Sequence, residues 1–259
     1  MKKRVSTKKE DKNGGKTKKT SLKTKTQRTR ARLLGSYYGN PIRDMKLVCI
    51  TGSTGKSITA HFVHEILKSS GEHVAILASE KPFKLKTLHK FFADAWKAGA
   101  NYVVVTAPPE SLNKNVFYNL PVEVAALTNY LDSSLTTPTS EEFLKSGSTL
   151  FEMNPKIVVL NTDDLYYKDF SKYSGKEKTL TYGRNYYSTL RIENSKLYRK
   201  GVEATFSLGS SFYTVASFLT GEPIISYMAC AAAIATALGI DNQSIADGIA
   251  NYEQEEAKL

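Results

Sequence analysis

The residues of this sequence best suited to chemistry stand together at Thr51-Gly52-Ser53-Thr54-Gly55-Lys56-Ser57. Glycines at 52 and 55 allow backbone N–H groups to turn inward around an anion. Ser53 and Thr54 fill the turn between them, so Gly52 to Ser57 form one candidate phosphate-binding loop. Lys56 offers a cation to the outer phosphates of a nucleotide and is the candidate catalytic residue. The Ser57 hydroxyl is the kind of group that ligates Mg²⁺ beside phosphates. The pattern is the shorter G-x-x-G-K-S: Ile50 stands where the longer G-x-x-x-x-G-K-[ST] form has its first glycine. The bland alternative is a Gly-Ser turn followed by an ordinary lysine. The segments on either side argue against it.

Residues 47–51 are an apolar strand run, and residues 56–70 carry Ile58, Phe62, Val63, Ile66 and Leu67 at helical spacing before Gly71. A loop between a strand and a helix N-terminus gains free N–H donors and the positive end of the helix dipole. Further strands are expected at 74–78, 102–106, 124–128 and 157–161, with helices at 85–98 and 140–151. Short strands that are apolar on both faces and separated by helices predict an α/β fold. Its sheet is mostly parallel with helices on both faces. Residues 179–218 alternate instead, with segments at 189–193, 196–198 and 204–208, and predict a small antiparallel section. Helices are expected at 226–238 and 243–252.

Charge is divided unevenly. Of the 36 Lys and Arg, 14 lie in residues 1–32 beside only Glu10 and Asp11, which leaves 22 basic and 23 acidic residues in the remainder. The chain reads as a basic tail at 1–32, a near-neutral body at 33–252 and a charged end at 253–259. A neutral body argues against a nucleic-acid binder with an overall basic surface. The tail, without aromatics and almost without large apolar residues, predicts disorder and non-specific attraction to anionic surfaces such as RNA or membrane. Cys49 and Cys230 sit in apolar runs and predict buried free thiols. His61 and His64 are spaced by three, not by the four of a helical zinc pair. With no apolar run of membrane-span length and no apolar stretch after the basic start, the sequence reads as cytoplasmic.

The stretch ITGSTGKSITAHFVHEILKSSG resembles the ATP loop and first helix of the Mur ligases, which join amino acids to peptidoglycan precursors, and of their relative folylpolyglutamate synthetase. Ala126-Leu127-Thr128-Asn129, Asn161-Thr162-Asp163-Asp164, Thr181-Tyr182-Gly183 and the segment from Gly221 to Ile240 are similar to later family segments in the same order. The resemblance covers residues 45–252. It implies a central ATP-binding domain that uses ATP and Mg²⁺ and takes part in acid–amino acid ligation through an acyl phosphate in cell-wall precursor synthesis. It further implies that Gly52, Ser53, Thr54, Gly55, Lys56 and Ser57 hold the phosphates, that Ser57 meets the metal, and that Asn161 and Asp164 lie near the adenosine.

The departures from the family pattern are specific. The family's metal-binding Glu and following His align with Thr106 and Glu110, and its Asp-His pair aligns with Ser133 and Ser134. Its carbamylated lysine aligns with Gly147, Lys145 being out of register, and two asparagines align with Ile224 and Tyr227. Glu110 and Asp132 are the candidate substitutes for the lost carboxylates. The resemblance also implies an N-terminal substrate domain, which some relatives lack, and a C-terminal ligase domain; neither is expected within these residues, and a separate subunit, a truncated gene or a domain that works without ligation are the three ways to account for the latter. The alternative reading is a catalytically degenerate nucleotide-binding or scaffold protein that keeps the phosphate loop without the transfer site. A tail-driven adaptor is the third.

Overall fold

The computed structural model describes residues 22–130 and 140–252. Its centre is a nine-stranded sheet built from β1 (Lys46–Thr51), β2 (Val74–Leu77), β3 (Tyr102–Thr106), β4 (Val122–Leu127), β5 (Ile157–Asn161), β6 (Lys178–Gly183), β7 (Leu190–Tyr198), β8 (Gly201–Leu208) and β9 (Ser211–Ser217). The order across the sheet is β2-β3-β1-β4-β5-β6-β7-β8-β9. Pairing is parallel from β2 to β7 and antiparallel from β7 to β9. The helices are α1 (Leu22–Tyr37), α2 (Lys56–Ser69), α3 (Leu85–Lys97), α4 (Pro109–Asn113), α5 (Ser140–Phe151), α6 (Tyr167–Phe170), α7 (Glu222–Leu238) and α8 (Asn242–Asn251). Among the described residues, no helix is long and apolar enough to cross a membrane.

Strand period explains the two layers. Val48, Ile50, Val104, Val124 and Ala126 belong to one core, with Phe62, Val63 and Ile66 of α2 and the alanines of α7. Their strand neighbours Leu47, Cys49, Val103, Val105 and Ala125 belong to the other, with Leu88 and Phe92 of α3 and Leu150 of α5. Burying each large aliphatic side chain contributes about 1.5–3 kcal/mol. Strands apolar on both faces are therefore stable only when helices cover both. Close helix packing needs small residues: a Cβ on Gly248 of α8 would stand 2.3 Å from Ile66 Cα of α2.

Two expectations need correction. The antiparallel section begins at β7, not at residue 179. β6 pairs in parallel with β5 from Ile157↔Lys178 to Asn161↔Tyr182, because the connection through α6 returns the chain in the same direction. The segments 189–193 and 196–198 are one strand, β7, with a bulge between Ile192 and Asn194 that breaks the alternation.

The second correction concerns the tail. Residues 22–32, placed in the disordered basic segment, are helical, and α1 runs through the 32/33 boundary. Ala31 is buried, and the guanidinium carbons of Arg28 and Arg32 lie 4.7 and 5.4 Å from the Tyr118 ring centroid. Arg32 also donates to the Tyr118 hydroxyl at 3.0 Å. The flat cations of the two arginines thus dock α1 on an aromatic ring, a contact that composition alone does not reveal. The rest of the tail, residues 1–21, and the charged end at 253–259 lie outside the described residues.

Candidate functional site

The sheet brings the carboxyl ends of β1, β2, β3 and β4 to the N-terminus of α2. β1 ends at Thr51, the chain turns through Gly52 to Gly55, and α2 starts at Lys56. Gly52 and Gly55 have φ of 142° and 76°, values that residues with a Cβ rarely adopt. Thr128 and Asn129, just beyond β4, hold the turn. Asn129 accepts from Ser53 N through its carbonyl at 2.9 Å and from Thr54 N through Oδ1 at 3.0 Å. Thr128 Oγ1 donates to the Thr54 carbonyl at 2.8 Å, and a Cβ on Gly52 would stand 2.1 Å from that same oxygen. Ser53 and Thr54 are therefore held by the chain just beyond β4.

Lys56 is 3% exposed and folds back over the loop, donating to the Ser53 carbonyl at 3.1 Å. Its Nζ also pairs with Glu80 Oε2 at 2.7 Å. The other carboxylate oxygen of Glu80 accepts from Ser57 Oγ at 2.6 Å and from Ser57 N at 3.4 Å. Burial alone would push the Glu80 carboxyl up, but the bonds from Lys56 and Ser57 outweigh it and hold the group below the ordinary glutamate range. One carboxylate thus engages a cation, a hydroxyl and a helix N-terminal amide together. Those are the donors that an oxygen of a phosphate requires.

Tyr227 of α7 closes the other side. It is buried, its hydroxyl lies 3.0 Å from Thr54 Oγ1, and its ring covers Gly55. Tyr182 braces the site from beneath. This fully buried phenol donates to the carbonyls of Leu127 and Thr128 at 3.0 and 2.8 Å, and burial pushes its pKa well above the ordinary tyrosine value.

Asn161 and Asp164 sit near the loop but spend their polar atoms on the fold. Asn161 Nδ2 donates to the Thr128 carbonyl at 3.0 Å, and its Oδ1 accepts from Asp163 N at 2.9 Å. Asp164 accepts from the Tyr130 amide and, at 2.8 Å, from the Tyr166 amide. Burial raises the Asp164 pKa above the ordinary value, and these amide bonds offset only part of the rise.

The positions that depart from the family pattern divide in the same manner. Thr106 is fully buried, donating to the Ser79 carbonyl at 2.8 Å and accepting from Ser79 N at 2.9 Å, so it joins the ends of β3 and β2. Gly147 is buried on α5, where a Cβ would meet the Phe170 ring at 3.4 Å. Lys145 is exposed, and so is Glu110 on α4. Ser133, Ser134 and Asp132 lie outside the described residues. His61 stacks on Tyr252 at 5.2 Å and His64 bonds Glu65 at 2.9 Å; the described residues contain no group of three or more His, Cys, Asp or Glu placed to hold a metal ion.

Glu80, Tyr227 and the bracing residues Thr128, Asn129 and Tyr182 belong to the site although the sequence does not mark them as functional. Glu80 had one available signal, its place directly after the second parallel strand, since the carboxyl ends of such strands gather around one crevice.

The Mur ligase middle domain family matches residues 50–235 of this chain. The chain is 30% identical over 250 residues to the UDP-N-acetylmuramoyl-L-alanyl-D-glutamate–2,6-diaminopimelate ligase of Bacillus licheniformis, covering 86% of this chain and 50% of the relative. A solved structure of a ligase of that name superposes with a TM-score of 0.80 at 19% identity, over 91% of this chain and 51% of the other. The Mycobacterium tuberculosis folylpolyglutamate synthase, solved in complexes with ADP and AMPPCP, superposes with a TM-score of 0.72 at 13% identity, over 88% of this chain and 63% of the other. The chain thus spans about half the length of the curated relatives it matches. With its matched segment running from the phosphate-type loop through α7, the chain belongs to the Mur ligase middle-domain family.

Proposed function

We propose that this chain binds ATP with Mg²⁺ at Gly52–Ser57 and serves as the nucleotide-binding part of an acid–amino acid ligase of cell-wall precursor synthesis. The observation that carries the reading is Lys56. It is a buried lysine at a helix N-terminus, folded over a glycine turn, with an anion already seated on it. The groups present fit the ligand: backbone amides and Lys56 suit phosphate oxygens, and hydroxyl and carboxylate oxygens suit Mg²⁺. When bound, ATP with its metal supplies the phosphoryl group that activates a carboxylate for attack by an amine.

Glu80 does not bar the site. Its side chain is 56% exposed and can swing into solvent, and a triphosphate brings more charge and more acceptor oxygens to Lys56 and the loop amides than one carboxylate does. A charged hydrogen bond to phosphate contributes about 1.5–3 kcal/mol, and a triphosphate makes several. Lys56 therefore exchanges the carboxylate for phosphate when nucleotide arrives.

A second reading has its own support. Thr106 and Gly147 stand where the family pattern has ionisable groups, and both are committed to packing. A chain that holds nucleotide without transferring phosphate would tolerate both. One experiment addresses both readings: ATP affinity with and without Mg²⁺ for wild type and Lys56→Ala, with phosphate release followed in the same samples. Loss of about ten- to a hundredfold in affinity in Lys56→Ala is expected. Equal affinity in both proteins would overturn nucleotide binding at this loop. Mg²⁺-dependent release supports the ligase reading, and binding without release supports the degenerate one. The partner we propose is a separate C-terminal ligase subunit that brings the amine.

A further inference from the structure

We infer that Glu80 supplies the carboxylate ligand of a divalent-cation site, completed by the Ser57 hydroxyl and the outer phosphates of a nucleotide. The assignment rests on the phosphate-binding reading of the loop given above.

Glu80 lies where such a ligand must lie. Its Oε1 is 2.6 Å from Ser57 Oγ, and its Oε2 is 2.7 Å from Lys56 Nζ. More than half of the side chain is open to solvent, whereas Lys56 is buried. A cation can therefore approach the carboxylate and the Ser57 oxygen from the open side once Lys56 has turned to phosphate. Hydroxyl, carboxylate and phosphate together give an all-oxygen set, and one or two carboxylates beside substrate phosphates is the arrangement Mg²⁺ favours.

The segment carrying Glu80 is held in place. On one side, Thr106 Oγ1 clamps both backbone groups of Ser79, at 2.9 Å from its amide and 2.8 Å from its carbonyl. On the other, Lys81 N donates to Ser79 Oγ at 3.0 Å, and that hydroxyl donates back to the Lys81 carbonyl at 3.2 Å. Glu80 is thus the middle residue of a fixed turn aimed at Ser57. Thr106, buried at the end of β3, is a positioning residue for it. Glu110, the acid on α4, is exposed. No described side-chain hydrogen bond joins it to the loop.

A counter-ion of Lys56 and a metal ligand predict opposite effects when the charge is removed. Calorimetric titration of AMPPCP into the full chain, wild type and Glu80→Gln, each in Mg²⁺ and in EDTA, separates them. In the wild type, Mg²⁺ is expected to strengthen binding by about tenfold or more; even outer-sphere partners of metal ligands commonly matter by that factor. In Glu80→Gln that strengthening disappears, while affinity in EDTA is unchanged or tighter because the competitor for Lys56 is gone. The assignment is overturned if Glu80→Gln keeps the wild-type response to Mg²⁺, or if the wild type has none. If neither protein binds AMPPCP in any condition, the phosphate-binding reading fails and takes the assignment with it.

Discussion

Tyr227 lies across the backbone of Gly55 so closely that a Cβ on the glycine would stand 2.1 Å from the ring carbon Cε1. The contact joins α7, late in the chain, to the tightest point of the loop. It is reinforced by the bond of 3.0 Å between the Tyr227 hydroxyl and Thr54 Oγ1. Gly55 also has φ of 76°, so two separate constraints demand glycine there. Gly55→Ala should lose about 1–2 kcal/mol to the left-handed backbone alone, with the clash adding to it. Tyr227→Ala relieves only the clash. The double variant should therefore be more stable than the two single losses predict, by about 1 kcal/mol or more. Denaturant unfolding of the four proteins measures this coupling, and strictly additive losses would show that ring and glycine do not touch.

The strand–loop–helix unit was legible because its signals are local. Glycines, lysine and serine in a row specify the turn, and the apolar spacing of residues 56–70 specifies the helix after it. The two-faced sheet was legible for the same reason, since each strand carries its apolar residues at both parities. The misread parts depend on partners distant in the chain. α1 is ordered on Tyr118, some 90 residues on, so a count of lysines and arginines in the tail could not reveal it. Nothing local in β6 tells a parallel strand from one arm of a hairpin; the path through α6 decides it. Glu80 sits among Ser79, Lys81 and other ordinary surface residues, and only the sheet order brings it to Ser57. Asn161 and Asp164 show the converse. The family resemblance marks both residues, but nothing in the sequence shows the hydrogen bonds that occupy them.

Cys49 and Cys230 are both buried and free. Burial pushes the Cys230 thiol up to about 12, the neighbouring Tyr182 offsetting part of the rise, and burial pushes Cys49 higher still. At neutral pH Cys230 is then held as the thiol, whereas the thiolate is the reactive form. Neither cysteine should react with a thiol reagent in the native protein, and both should react once denaturant has unfolded it. Colorimetric thiol titration before and after denaturation tests this. Labelling of either residue within minutes under native conditions would mean that the core around β1 or α7 opens more readily than its packing implies.

Asp164 gives the site a pH dependence of definite sign. Burial raises its pKa, and the amides of Tyr130 and Tyr166 recover only part of the cost of ionisation. The folded chain therefore holds a proton on Asp164 more tightly than the unfolded chain does. The stability linked to this group is fully present below the unfolded value of about pH 4, declines as pH rises through the folded value, and stays low at neutrality. Asp164→Asn has no such titration, although its amide still offers an oxygen to one of the two N–H groups. The difference in Tm between wild type and Asp164→Asn should therefore move against the wild type as pH rises from about 4 towards 7. Thermal unfolding of the two proteins across that range measures it. A difference that moves in favour of the wild type would mean that the amide bonds outweigh burial and that Asp164 is stabilised as the anion.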